Sequence, residues 1–289
     1  MLKLVILIIY FAVLIGIGLY CRKHATDVNG FVLGGRSVGP WLTAFAYGTS
    51  YFSAVVFVGY AGQFGWKYGI AATWAGIGNA IIGSLLAWVV LGRRTRIMSQ
   101  HLDSATMPQY FGKRFGSNPL KIGASVIIFI FLIPYTASLY NGLSRLFGMA
   151  FNIDYSVCII IMATLTAIYV IAGGYMATAI NDFIQGIIML FGIVAVIAAV
   201  IHSKGGFMSA LQGLANVSDP AVSDTPGIFA SFFGPDPFNL LCVVILTSLG
   251  TWGLPQMVQK FYAIDNEASI QKGTVISTIF ALIVSGGCY

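Results

Sequence analysis

Residues 248–255 read Ser-Leu-Gly-Thr-Trp-Gly-Leu-Pro, with two glycines and a proline inside six residues, in the middle of an apolar stretch near 237–260. Proline removes a backbone donor and its ring clashes with the preceding turn, while glycine weakens a helix. Freed backbone groups cost several kcal/mol in lipid unless they line a cavity or meet protein. The stretch therefore predicts a broken membrane helix. A counterpart lies at Gly48-Thr49-Ser50-Tyr51-Phe52-Ser53, where small and hydroxyl residues fall in mid-span and Gly59 and Gly62 follow.

The composition around these stretches is that of a membrane protein. Of 289 residues, 58% are hydrophobic and 8% are charged, against roughly 25% charged in a soluble domain. The 34 glycines agree with this, because glycine is commoner in membrane helices than in soluble ones. About 20 apolar residues span the hydrocarbon core. Spans are expected near 3–21, 41–61, 70–91, 121–148, 155–172, 177–201 and 237–260, and Gly273–Tyr289 begins an eighth. Contact with membrane lipid follows, in a single membrane domain.

Threading the spans alternately sorts the fifteen Lys and Arg residues. Arg22, Lys23, Arg36, Arg93, Arg94, Arg96, Lys113, Arg114, Lys121, Lys260 and Lys272 fall on one side. Lys3, Lys67, Arg145 and Lys204 fall on the other. The positive-inside rule makes the first side cytoplasmic and puts the N-terminus outside. The net charge of +6 is thus an orientation signal and implies no nucleic-acid partner. Arg145 reads as a snorkelling anchor at the outer end of its span. The first span lacks a small-x-small cleavage site and reads as a retained helix.

Cys21, Cys158, Cys242 and Cys288 stand singly, without the spacing of a metal site or a disulfide framework. His24, His101 and His202 lie in loops or at helix ends, so catalytic residues are expected to be absent, as are metals other than a coupling ion and any cofactor. The basic loop after Gly92 holds a short interfacial helix, Met107–Phe115, with Ser104 as its expected cap. The outer segment 202–236 is a loop with one amphipathic stretch, Gly206–Leu214. The two interrupted spans are five apart, the spacing of two five-helix inverted repeats that each begin with a broken helix.

Four stretches in order carry a resemblance. Phe31-Val-Leu-Gly-Gly-Arg-Ser-Val-Gly-Pro-Trp41 leads into the second span, and Tyr51-Phe-Ser-Ala-Val-Val-Phe-Val-Gly59 follows it. Gly173-Gly-Tyr-Met-Ala-Thr-Ala-Ile-Asn-Asp-Phe-Ile-Gln185 lies at the start of the sixth, and Gly250-Thr-Trp-Gly-Leu-Pro255 with Lys260-Phe-Tyr-Ala at the seventh. Together they resemble the sodium:solute symporter family, relatives of the sugar, proline, pantothenate and sialic acid sodium symporters. The resemblance implies an all-α, inverted-repeat bundle of the LeuT-like kind with an extra N-terminal helix, 3–21. It implies a first five-helix repeat over 41–201, an outer loop over 202–236 and the start of a second repeat at 237–289. Family members have thirteen or more helices, so the C-terminal half of the transporter is expected to be missing.

Asp182 is the only acid near the hydrocarbon region. A charge there costs from about 2.5 kcal/mol upward unless compensated by a cation, pore water or an arginine. On position alone it reads equally as a first-turn acid favoured by the helix dipole. The resemblance puts Asp182 at the signature's acidic position, used for cation release or a second sodium. It also gives the carbonyls at Thr49 and Phe52 to the common sodium site, completed by hydroxyls from a later helix. Read from the residues alone, Thr49 and Ser50 fit equally a cation site at an unwound turn and hydroxyls bonded back to the preceding turn.

Tyr51, Ser53, Trp74, Asn79, Thr251 and Trp252 are candidates for a solute pocket, since aromatic faces and a few placed donors suit a small polar solute. Tyr51 stands where proline-type members carry an acid, and Thr251 where they carry a tyrosine; the Tyr-Phe-Ser-Ala run looks closer to pantothenate-like members. The resulting expectation is Na+-coupled symport of a small organic solute by alternating access, without enzymatic activity. The alternative is a symporter-like membrane sensor domain of a signalling receptor.

Overall fold

Unbroken apolar sequence gives the first helix, α1 (Leu2–Cys21), and Asp27, accepting from the Gly30 N–H at 3.1 Å, caps the short α2 (Val28–Leu33). The computed structural model describes residues 2–53 and 55–289; Ala54, inside the quoted Tyr51–Gly59 stretch, lies outside them. Pro40 in the first turn starts α3 (Pro40–Tyr51), whose fixed φ suits a helix start. Phe52 ends it with φ −92° and ψ 71°. Helical structure resumes with π-type turns over Val55–Tyr60 and continues as α4 (Ala61–Tyr68).

Gly69 then turns with φ 61° and ψ −141°. A side chain there would also collide with the Phe229 backbone, so the sharp reversal requires glycine. Beyond it run α5 (Thr73–Gly78), π-type turns over Asn79–Leu86 and Trp88–Gly92, and α6 (Arg93–His101). The interfacial helix is present as α7 (Met107–Phe115). Its cap is Thr106, which accepts from the Gln109 N–H, and not the expected Ser104. Ser104 is fully buried, and its carbonyl accepts from Arg36 at 2.8 Å.

Ser117 caps α8 (Asn118–Phe151), and Asp154 caps α9 (Tyr155–Ser203). At about 1.5 Å per residue, an unbroken α9 would be over twice as long as the hydrocarbon core is thick. Gly174, with φ 56° and ψ −148°, breaks it where the sequence separates its fifth and sixth spans. A short helix, α10 (Phe207–Ala215), precedes α11 (Pro237–Leu249) and α12 (Pro255–Ala263). These two bend by 53° about Gly250–Leu254, so the opening stretch does break its span. Asn266 caps α13 (Glu267–Cys288).

Among the described residues, four helices are long and apolar enough to cross a membrane, and the bent pair counted as one span makes up to five. Among the described residues there is no strand, only isolated bridges. The fold is all-α.

The core forms where α3, α12 and α13 meet. Phe45 packs on Phe280 (ring centroids 5.1 Å apart), and Phe261 lies between Tyr47 (5.6 Å) and Trp88 (5.1 Å). Such offset and edge contacts add to the burial of the rings. By contrast α8 shows a mostly exposed apolar surface, including Ile127, Phe129, Phe131 and Ile133.

At the end of the bundle beside α6 and α7, two arginines join separate segments. Arg36 donates from Nη1 to Ser99 Oγ (3.1 Å) and the Tyr262 carbonyl (3.2 Å), and from Nη2 to the Ser99 (3.2 Å) and Ser104 (2.8 Å) carbonyls. Partial burial, then the neighbouring Arg96 charge, press its pKa below the usual guanidinium value. Arg96, 5% exposed, donates from Nε to the Ile264 carbonyl at 2.6 Å and from Nη2 to that of Asp265 at 3.0 Å. Val38 adds a parallel backbone bridge, donating to the Ala263 carbonyl and accepting from the Asp265 N–H.

Candidate functional site

Among the described residues, the first break leaves two carbonyls without a backbone donor outside the regular helices. The Phe52 N–H donates to the Gly48 carbonyl, and the Val56 and Phe57 N–H groups both donate to Ser53. Among the described residues, no backbone N–H outside the regular helices is donated to the Thr49 or Phe52 carbonyl. The Thr49 hydroxyl bonds back to the Phe45 carbonyl at 2.9 Å, as local reading of a mid-helix threonine expects. Its side chain also lies beside the Asp182 carboxyl group.

Asp182 enters from α9, eight residues after the Gly174 break. Its partner is Lys260 of α12, with Nζ 3.5 Å from Oδ2. Lys260 is 6% exposed and the Asp182 side chain 21% exposed. Pairing offsets the cost of holding two charges away from water. The Lys260 ammonium also sits 5.0 Å from the centroid of the Tyr175 ring, within cation–π range.

Unpartnered polar groups adjoin this pair in sequence. Asn181 is 1% exposed, and neither end of its amide has a hydrogen bond. Gln256, one turn before Lys260 on α12, likewise holds both amide atoms buried without partners. Among the described residues no group of three or more His, Cys, Asp or Glu could hold a metal ion. A cation here would meet one carboxylate, hydroxyls and carbonyls, which are hard ligands suited to an alkali ion.

A second cluster lies between the two broken helices. Asn79, 1% exposed, accepts at Oδ1 from the hydroxyls of Tyr51, Thr247 and Ser248, each at 3.1 Å. The Tyr51 hydroxyl is also 3.0 Å from the Thr247 carbonyl, and its ring stacks on Phe52 with centroids 4.6 Å apart. Thr251 donates to the Ser248 carbonyl at 3.0 Å, and Trp252 Nε1 to that of Ile82 at 3.0 Å. Ser53 is half-buried at the break.

The structure thus brings Tyr51 and Asn79 into direct contact, and places Thr49 near Asp182 while its hydroxyl donates to the Phe45 carbonyl. Trp74 goes elsewhere. Its indole donates to the Phe232 carbonyl at 3.0 Å, and it lines a cavity of about 320 Å³ with Phe233, Pro237, Leu240, Leu241 and Val244. Sequence reasoning missed Thr247, Ser248, Lys260, Asn181 and Gln256. Lys260 is found among the basic residues of the seventh span, where a count of charges hides a buried one. For Asn181 the available signal was its place beside Asp182.

The family model described as "Sodium:solute symporter family" matches residues 31–288. The osmoregulated proline transporter of Bacillus subtilis (strain 168) is 30% identical over 95% of this chain and 54% of its own length. A sodium/proline symporter of Staphylococcus aureus (strain JH9) is 32% identical over 93% of this chain and 51% of its own length. The chain therefore spans about half the length of the curated relatives it matches. A solved structure of a Na+-coupled sialic acid symporter, in a substrate-bound outward-open state, superposes with a TM-score of 0.70. It covers 99% of this chain and 61% of that one at 16% identity, a likeness of fold.

Proposed function

The chain belongs to the sodium:solute symporter family, and from that premise we propose that it forms part of a transporter coupling Na+ entry to uptake of a small organic solute. The observation that carries this reading is the largely buried Asp182–Lys260 pair close to Thr49, at a helix break whose Thr49 and Phe52 carbonyls receive no backbone donor from the described residues outside the regular helices. In this reading Na+ is bound by the Thr49 and Phe52 carbonyls, and Asp182 serves cation release or a second Na+. Low local dielectric strengthens each such contact.

The solute is held near the second cluster. Tyr51, Ser53, Asn79, Thr251 and Trp252 supply hydroxyl, amide and aromatic surface between the two breaks, whereas Trp74, bonded to the Phe232 carbonyl, drops out of the solute site. Two of the relatives named above are proline transporters, so proline enters the screen. Tyr51 and Thr251 depart from the proline-type pattern, so organic acids enter beside it.

The proposed organisation is an extra helix at 3–21, a first repeat at 41–201, an outer loop at 202–236 and the start of a second repeat at 237–289. The N-terminus and the segment 202–236 face outside. Alternating access in this architecture moves one repeat against the other around a site near the midplane. The working unit is therefore taken as an extended form, meaning this chain together with the part of its relatives' length that it does not span.

The test is uptake by the extended form in proteoliposomes, screened across amino acids, sugars and organic acids with an inward Na+ gradient, a K+ gradient or none. Accumulation of one solute class driven by Na+ alone is expected. Uptake at equal rates without Na+ would refute the coupling.

A further inference from the structure

We propose that Lys260 is a tethered cation that holds the Asp182 carboxylate when no Na+ is present and must be displaced when Na+ arrives. This rests on the reading of Asp182 as a cation ligand and names the group that regulates it.

Three observations point to this role. The Nζ–Oδ2 separation of 3.5 Å is longer than the 2.7–2.9 Å of a tight charge-assisted bond, so the ammonium is attracted without being locked. A second hold on the ammonium is already in place: Nζ lies over the Tyr175 ring face, 5.0 Å from its centroid, and the buried Tyr175 hydroxyl has no hydrogen-bond partner among the described residues. The Asn181 amide, adjacent to Asp182 in sequence, is also buried without a partner among the described residues.

The electrostatics favour exchange over sharing. One carboxylate balances one positive charge, and a second cation placed beside it in a poorly solvated site repels the first. Na+ entering at Asp182 therefore drives the ammonium towards Tyr175. Lys260 belongs to α12, the second limb of the second broken helix, whereas Asp182 belongs to α9. The same α12 ends at Ala263, whose carbonyl accepts from Val38, next to the Ile264 and Asp265 carbonyls held by Arg96. Occupancy of the cation site is in this way transmitted to the limb that closes one end of the bundle.

The experiment measures binding of radioactive sodium to the purified extended form, and uptake beside it. Lys260→Met removes the competitor, so Na+ affinity should rise several-fold while Na+-driven accumulation of solute falls. Lys260→Arg keeps a tethered charge and should stay near the unsubstituted protein in both readouts. Should the methionine variant fail to fold, Lys260→Gln retains a hydrogen bond to Asp182 and is expected to give the same rise. Unchanged or weaker Na+ binding in the neutral variants would overturn the tethered-cation role. Asp182→Asn separates the two readings: loss of Na+ binding there leaves Asp182 a ligand even where Lys260 fails its test. Unchanged binding in Asp182→Asn sinks both.

Discussion

Asp182 and Lys260, 78 residues apart in sequence, form an ion pair with Nζ 3.5 Å from Oδ2 and Lys260 only 6% exposed. The acid that sequence singles out is thus compensated by a lysine from the second broken helix. Each charge is stable there because of the other.

Asp182→Asn in the extended form is expected to lower apparent Na+ affinity or coupled uptake at least several-fold. It also strands the Lys260 charge, and breaking a buried pair by removing one partner commonly costs roughly 3–5 kcal/mol. The thermal midpoint in detergent should drop, and adding Lys260→Met should recover much of the loss. A single variant as stable as the unsubstituted protein would show that the pair is solvated.

Asn79→Ala removes the acceptor shared by Tyr51, Thr247 and Ser248. Tyr51 and Thr247 keep backbone acceptors, but among the described residues the Ser248 hydroxyl donates to Asn79 alone. Unpaired buried donors cost about 1–3 kcal/mol. The expected outcome is a raised KM for solute with Na+ binding retained, read from uptake kinetics and radioactive sodium binding. Loss of both together would place Asn79 in general packing.

Arg96→Lys keeps the charge but cannot reproduce the fork that reaches the Ile264 and Asp265 carbonyls while Nη1 meets Gln100. Hydrogen bonds to charged groups contribute about 1.5–3 kcal/mol each. Arg96→Lys should therefore lower the unfolding midpoint measurably, and Arg36→Lys should do so too, through its four bonds. Unaltered midpoints in both variants would mean that these bonds contribute nothing net.

Topology is checked by cysteine labelling in a background lacking Cys21, Cys158, Cys242 and Cys288. Lys113→Cys on α7 and Asp224→Cys in the 202–236 segment are both at exposed positions. An impermeant reagent should reach them from opposite faces of the membrane. Labelling from one face would reject the orientation drawn from the basic residues.

Residues 1–289 alone are expected not to drive Na+-coupled accumulation. The proposed ion site has carbonyls and one carboxylate from this chain, while the hydroxyls that the family resemblance assigns to it come from a later helix. Proteoliposomes with this chain alone, compared with chain plus the C-terminal helices, decide it. Robust accumulation by the short form would refute the requirement.

The sequence by itself determined the membrane class and both helix breaks. The reason is local: apolar runs must satisfy their backbone as helices in lipid, and Gly48–Ser53 and Gly250–Pro255 cannot do so without interruption. It also put Asp182 forward, since a lone acid in such surroundings needs compensation. The identity of that compensation was not legible, because it depends on how α12 leaves the 53° bend and which face it turns to α9. The Asn79 cluster was half legible: Tyr51 and Asn79 stood out as polar residues in apolar spans, but Thr247 and Ser248 look like ordinary back-bonding hydroxyls until packing aims them at one oxygen. The cap of α7 went the same way. Ser104 and Thr106 are equivalent choices locally, and the tertiary structure decided for Thr106 because it buries Ser104 under Arg36, whose partners come from segments as far as 226 residues away.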